Sequence, residues 1–243
     1  ILLQMNQKEK QDILDAAKDF FRTRIAPNHI SNTEKLQDIS EFNVNPFLHK
    51  YLAQFAFGNS SPESMAKALI LPRVLGTSIT TTFGNQMQYF CNNVLSSFAS
   101  TTSGIDIEFV DCIDGAKKYC QVKAGPSTIN KDDVPVIKDH FRGVINLART
   151  NGLRIASADC IVGVLYGEYK DLSGHYKKIN EDYPVIVGQE FWHRLTGDPH
   201  FYDDLISAFA EVADEMDSSA LLDQTVQRLA TYIAKLNEAT IKD

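Results

Sequence analysis

A chain of 243 residues with 44% hydrophobic and 23% charged residues has the composition of a soluble globular protein, which excludes disordered, collagen-like and coiled-coil extremes. No linker, repeat or low-complexity tract interrupts it, so one compact domain over 1–243 is expected: mainly helical over 1–100, an α/β core over 101–192 and C-terminal helices over 198–243. The formal net charge of −7 argues against gripping a polyanion by bulk positive potential and confines any nucleic-acid surface to a local basic patch or one formed between two subunits.

No apolar run approaches the roughly 18 residues of a membrane span. The apolar start Ile1-Leu2-Leu3 is too short for a signal-peptide core, so a cytoplasmic protein is expected, and a chain that opens on Ile rather than Met is expected to have had residues upstream. Cys91, Cys112, Cys120 and Cys160 form no CxxC pair and read as free, buried thiols rather than a zinc or disulfide framework.

In chain order, Ile13, Ala17, Phe20 and Phe21 fall at helical spacing within residues 7–25, and Pro27 is expected to close that helix. A polar stretch runs through Glu41. Asn45-Pro46 reads as an N-cap and first helical residue leading into Phe47, Leu48, Tyr51, Leu52 and Phe55, with Gly58 as the stop. Ser61-Pro62-Glu63 repeats the start signal for a helix to about residue 71, and Met87, Phe90, Cys91, Val94, Leu95 and Phe98 make a helical stripe over 85–97.

The period then changes. Residues 104–112 read as a strand, Asp114-Gly115 as a hairpin turn and 116–124 as the partner strand, ended by Gly125-Pro126. A helix over 135–150 is capped by Asn151-Gly152. The nearly unbroken apolar run at 158–166 fits a central strand covered on both faces, followed by a polar loop and a short strand at 184–187. Helices over 201–216 and 219–237 close the chain. The second carries Leu222, Val226, Leu229, Ile233 and Leu236 at near-heptad spacing, short for a coiled coil but suited to a docking or dimer helix. These elements predict an α/β fold, a mixed central sheet flanked by helices with helical N- and C-terminal portions.

The hairpin carries the chemistry. Alternation places Asp106 and Glu108 on one face of the first strand, with Ile105, Ile107 and Phe109 on the other; in the partner strand Tyr119, Gln121 and Lys123 share a face. Where the polar faces coincide, a hard cation such as Mg2+ finds oxygen ligands in the Asp106 carboxylate, the Gln121 amide and the Val122 carbonyl, with Glu108 available to a second cation. Such an ion polarises a phosphate oxygen and acidifies an attacking water, and Lys123 is placed to orient or deprotonate that water and offset charge on phosphorus.

Ile105-Asp106-Ile107-Glu108, a hairpin and then Gln121-Val122-Lys123-Ala124-Gly125 resemble the acid and (D/E/Q)-x-K of PD-(D/E)XK nucleases, with Gln121 where an acid is usual and Ile105 where Pro is usual. Glu108 or Glu63 is a candidate to compensate for Gln121. Asn45-Pro46-Phe47, Leu71-Pro72-Arg73-Val74-Leu75-Gly76, Val162-Gly163-Val164-Leu165-Tyr166-Gly167 and Glu190-Phe191-Trp192, in this order across residues 45–192, resemble type II restriction endonucleases that cut interrupted palindromes with a GG-N-CC core. That resemblance implies a Mg2+-dependent homodimer that cleaves both strands of DNA, leaves 5′-phosphates and serves host defence beside a methyltransferase. Alternatives are a repair or recombination nuclease, or an inactive DNA-binding module that kept the fold.

Each candidate also has a plainer role. Asp106 with Lys123 suits a cross-strand ion pair, Glu108 a solvated strand residue, Glu63 a helix N-terminal charge and Trp192 a core side chain. Arg73 is either a ligand of local carbonyls or a phosphate or guanine contact. Ser127, Thr128, Asn130 and Lys131 are either a polar connection or donors to phosphates and base edges, and Lys138, His140 and Arg142 either a solvated helix face or a track for the backbone. No His stands in HxH or HExxH spacing, so a zinc hydrolase has no support.

Overall fold

The computed structural model describes residues 5–240, with side chains through 237; the Ile1-Leu2-Leu3 start lies outside the described residues. In chain order the helices are α1 (Gln7–Phe20), α2 (Ala26–Lys35), α3 (His49–Phe57), α4 (Pro62–Pro72), α5 (Ile79–Asn85), α6 (Met87–Asn93), α7 (Asp133–Thr150), α8 (Gly174–Asn180), α9 (Gln189–Thr196), α10 (Phe201–Glu215) and α11 (Ser219–Thr240). The strands are β1 (Ile107–Val110), β2 (Lys117–Lys123), β3 (Cys160–Val164) and β4 (Val185–Val187).

Where the sequence suggests one domain, the chain divides into two compact units interleaved along it: residues 1–20 with 84–211, and 21–83 with 212–243. The crossings fall within or directly beside helical segments, which is why no change in composition marks them.

The first unit holds the sheet, in order β1-β2-β3-β4, with β1 antiparallel to β2 and the rest parallel. Gly115 at φ 73 turns the β1–β2 hairpin, a conformation L side chains resist. Both parallel connections pass through helices, α7 between β2 and β3 and α8 between β3 and β4, as parallel pairing requires. Cys160, Val162 and Val164 of β3 and Val185 and Val187 of β4 pack with Ile137, Phe141 and Val144 of α7 and Tyr176 and Ile179 of α8. The opposite face meets α9 so closely that a Cβ on Gly163 would stand 2.3 Å from the Phe191 ring and 2.9 Å from Cys120 Sγ. Phe90 of α6 meets Trp192 of α9 edge-on at 6.5 Å, and the Trp192 indole, fully buried, donates to Leu165 O at 2.9 Å. Covering both faces makes all five residues of β3 buried, as its unbroken apolar run predicts.

The second unit is helical. Leu36, Ala53, Met65, Ala66, Ile70 and Val74 pack against Val226, Leu229, Ala230 and Ile233 of α11. The near-heptad stripe of α11 is thus largely buried in this unit's core, rather than free as a docking face. Arg22 forks onto Glu215 through Nε at 2.9 Å and Nη2 at 2.8 Å.

Local differences have local causes. Helix does not stop at Pro27: a wider π-helical turn over Phe21–Ile25 leads directly into α2, which holds Pro27. Arg73 does not end a helix either, since a second π turn, Arg73–Ser78, continues into α5. The expected polar loop before β4 contains α8, and α9 follows β4; both are short helices held by buried anchors, Tyr176 and Ile179 in one and Phe191, Trp192 and Leu195 in the other. Asn45 makes a turn, its Oδ1 accepting from Phe47 N–H at 3.0 Å, but α3 begins at His49 after Leu48 and not at Pro46; the Ser61 cap on Ser64 N–H and the left-handed Gly58 at φ 72 are where the sequence places them. The apolar stripe leading into α3 stays outside, with Phe47 91% and Phe55 77% exposed, while His49 and Ala53 face inward. All four cysteines are free and buried.

Candidate active site

The hairpin is fixed at its turn by Asp111, fully buried, whose Oδ1 accepts from Ile113 N–H at 2.8 Å and whose Oδ2 accepts from Arg194 Nη1 of α9 at 2.8 Å. Its open end carries Asp106. Ile107 is registered against Cys120, yet Asp106 N–H also bonds to Cys120 O at 3.0 Å, and Asp106 O accepts from Ser100 N–H at 3.2 Å. Two residues therefore address one, the mark of a β-bulge, which re-aims a side chain. The Asp106 carboxylate does not stand off the sheet beside Glu108 as alternation predicts: it turns to the β2 edge, where Oδ2 accepts from Val122 N–H at 2.7 Å.

The bulge also settles where the Val122 carbonyl goes. Cys120 O and Val122 N–H both face β1. In an extended strand a residue's C=O leaves on the same side as its N–H, so Val122 O points past the start of β1, and the Ile105 N–H that would meet it is bonded to Thr102 O at 3.1 Å. Gln121, opposite in register to Val162, lies on the α7 face and is 4% exposed. Its Nε2 donates to Gly104 O at 2.6 Å and lies 2.8 Å from His140 Nδ1. Lys123, opposite Val164, is half-buried and makes no hydrogen bond or ion pair among the described residues, so the plainer alternative of an Asp106–Lys123 ion pair is not formed.

Burial raises the Cys91 thiol to about 12; the Asp106 carboxylate adds to the rise and the Lys123 ammonium opposes it. Cys120 is likewise pushed well up, by burial first and then by Asp106. These buried thiols stay protonated.

Around this corner the strand ends are tightly closed. A Cβ on Gly125 would fall 2.4 Å from the Tyr166 ring, and one on Gly188 (φ 58) would fall 2.3 Å from Gly167 O. Thr128 is held inward, its hydroxyl donating to Gly125 O at 2.9 Å and lying 3.1 Å from Tyr176 OH. Asn130 caps α7, accepting from Asp133 N–H while Asp133 Oδ2 accepts from Asn130 N–H at 2.7 Å, and Ser127 and Lys131 are exposed.

The other candidates are engaged elsewhere. Glu108 Oε1 accepts from Ser100 Oγ at 2.5 Å and Thr102 Oγ1 at 2.7 Å, and Oε2 pairs with Lys117 at 2.6 Å. Burial raises its pKa, but the bonds from Lys117, Ser100 and Thr102 together outweigh that and hold it below the usual Glu value. Glu63 pairs with Lys67 one turn on, at 2.6 Å, in the second unit. Arg73 donates to Glu41 O and its guanidinium lies 5.2 Å from the Phe42 ring centre. Lys138 pairs with Asp182 at 2.5 Å and Arg142 with Asp139.

Oxygen donors without protons are what magnesium takes, with several waters retained and one or two carboxylates enough. Asp106 Oδ1, Gln121 Oε1 and Val122 O accept no hydrogen bond among the described residues, and they sit on or beside one three-residue stretch of β2. No cluster of three or more His, Cys, Asp or Glu side chains arranged for a metal occurs among the described residues.

A four-stranded mixed sheet flanked by helices is the arrangement of a restriction-endonuclease-like fold. Residues 10–217 match the family model described as Type II restriction endonuclease EcoO109I, and the chain belongs to that family. It is accordingly a site-specific DNA endonuclease of a restriction system. No curated protein matches it. No helix among the described residues is long and apolar enough to cross a membrane.

Proposed function

We propose that this endonuclease works through a PD-(D/E)XK-type site in which Asp106, Gln121 and the Val122 carbonyl bind Mg2+ and Lys123 serves the attacking water. The observation that carries the reading is the Asp106 carboxylate seated on Val122 N–H, which ties the acid to the strand bearing Gln121 and Lys123. A bound Mg2+ would supply polarisation of a nonbridging phosphate oxygen and acidification of water. Lys123, with no competing partner, orients or deprotonates that water and offsets negative charge growing on phosphorus. Glu108 would admit a second cation only by giving up Lys117.

The DNA is cut on both strands to 5′-phosphates, at a palindrome with a GG-N-CC core, by a homodimer whose twofold axis coincides with that of the site. A net charge of −7 confines phosphate contacts to local groups: Ser127 and Lys131 are exposed, whereas Thr128, Asn130 and Arg73 would take that role only by giving up Gly125 O, Asp133 N–H and Glu41 O. Its place of action is the cytoplasm, where the DNA is. Digestion of a plasmid of known sequence with Mg2+, followed by end mapping, tests this: discrete double-strand ends at GG-N-CC sites, abolished by a chelator, are expected. Cleavage that survives chelation, or ends unrelated to such sites, would overturn it.

A further inference from the structure

The Gln121 carboxamide is held by two groups that fix which of its ends is left without a partner. Gly104 O, at 2.6 Å, is a carbonyl and only accepts, so the amide atom facing it is the NH2 group. The same nitrogen lies 2.8 Å from His140 Nδ1, which stands where it can accept the second amide proton. Both amide protons are thereby taken, and Oε1 is left with no donor among the described residues, although it is not sealed from solvent. Gly104 enforces the arrangement sterically: at φ 78, it lies so close to α7 that a Cβ there would be 2.6 Å from the His140 ring. An amide rotates by half a turn at little intrinsic cost, and a flipped Gln121 would present NH2 where an oxygen ligand is needed. A carboxylate at this position would need no such partner, because both its ends accept.

From this we infer that His140 is a positioning residue: through Nδ1 as a hydrogen-bond acceptor, together with Gly104 O, it locks Gln121 so that Oε1 and not NH2 is offered to the divalent cation. The inference rests on the metal-site reading above. It assigns to an exposed histidine of α7 the task of making an amide do the work of an acid, in the way outer partners orient metal ligands.

Mn2+ binding to the full chain, followed by loss of the free-ion paramagnetic resonance signal without DNA turnover, tests it. His140→Ala is expected to weaken Mn2+ binding about tenfold, and His140→Asn, whose side-chain oxygen falls near the Nδ1 position, to restore most of it. Circular dichroism and melting control for folding, which a change at an exposed ring leaves intact. Gln121→Glu is expected to bind Mn2+ tightly and make His140→Ala silent, a cancellation that a merely structural histidine would not show. Binding in His140→Ala equal to that of the parent chain, with Asp106→Ala still abolishing it, overturns the positioning role and leaves the metal site standing. Binding untouched by both Asp106→Ala and Gln121→Ala removes the metal site and the positioning role with it.

Discussion

Replacing Lys123 with Ala separates chemistry from structure more cleanly than any other change at this site. The ammonium has no hydrogen bond or ion pair among the described residues, so its removal strands no partner, and a half-buried side chain of this kind alters stability by about 0.5 kcal/mol or less. Gln121→Ala is less clean, because it would leave Gly104 O and His140 Nδ1 without their donor, at about 1–3 kcal/mol. On the catalytic side, loss of proton transfer or water orientation costs roughly 10²–10⁴ in rate, or about 3–5 kcal/mol at 1.36 kcal/mol per decade. The assay is single-turnover cleavage of a duplex carrying the site with Mg2+, beside a mobility shift on the same duplex with Ca2+. A rate lower by about a thousandfold with binding within a few-fold is expected, because the group acts on the transition state more than on the ground state. Lost binding with unchanged turnover, or a melting point lowered by many degrees, would refute the reasoning.

Three further outcomes follow from the same geometry. Asp106→Ala should abolish cleavage together with its dependence on divalent metal and also destabilise the chain by roughly 1.5–3 kcal/mol, because Val122 N–H loses a charged acceptor; full activity in this variant would exclude a ligand role. Asp111→Ala should cost about 1–3 kcal/mol in urea unfolding, since Ile113 N–H loses a buried acceptor and Arg194 is left with only Glu190 and Asp114; a loss under about 0.5 kcal/mol would mean that the turn does not depend on this carboxylate. The Glu108 carboxyl titrates below its ordinary value of 4.5, so its contribution to stability is complete above that value and is lost as pH falls through the lower folded-state value. Glu108→Gln should therefore flatten the acid limb of the stability profile below about pH 4, an effect that urea unfolding at stepped pH would detect, and an unchanged limb would contradict the pairing with Lys117, Ser100 and Thr102.

Much of the site was legible because its parts are local. Asp106, Gln121 and Lys123 lie on one hairpin, and the shift from helical spacing to alternation announces it. The tight turn at Gly115 and the buried run of β3 are likewise written in residue type and period. The Asp133–Thr150 helix, the α10–α11 pair and the start of α4 at Ser61 follow from apolar spacing and capping chemistry that act within a few residues.

What the sequence by itself determined, then, is the set of elements and the chemical groups they bring: an acid, an amide and an ammonium on adjoining strands of a mixed sheet. The tertiary structure alone decided where those groups point. Period two predicts a face for Asp106, but a bulge against Cys120 sends its carboxylate to the β2 edge. A Gln reads as a weak acid substitute until Gly104 O and His140, brought in from a loop and a helix, dictate which end of the amide is free. The same limit hid α8 and α9 and the two-unit division. Backbone periodicity reports that a side is apolar, whereas hydrogen bonds and packing between residues distant in the chain select the partner.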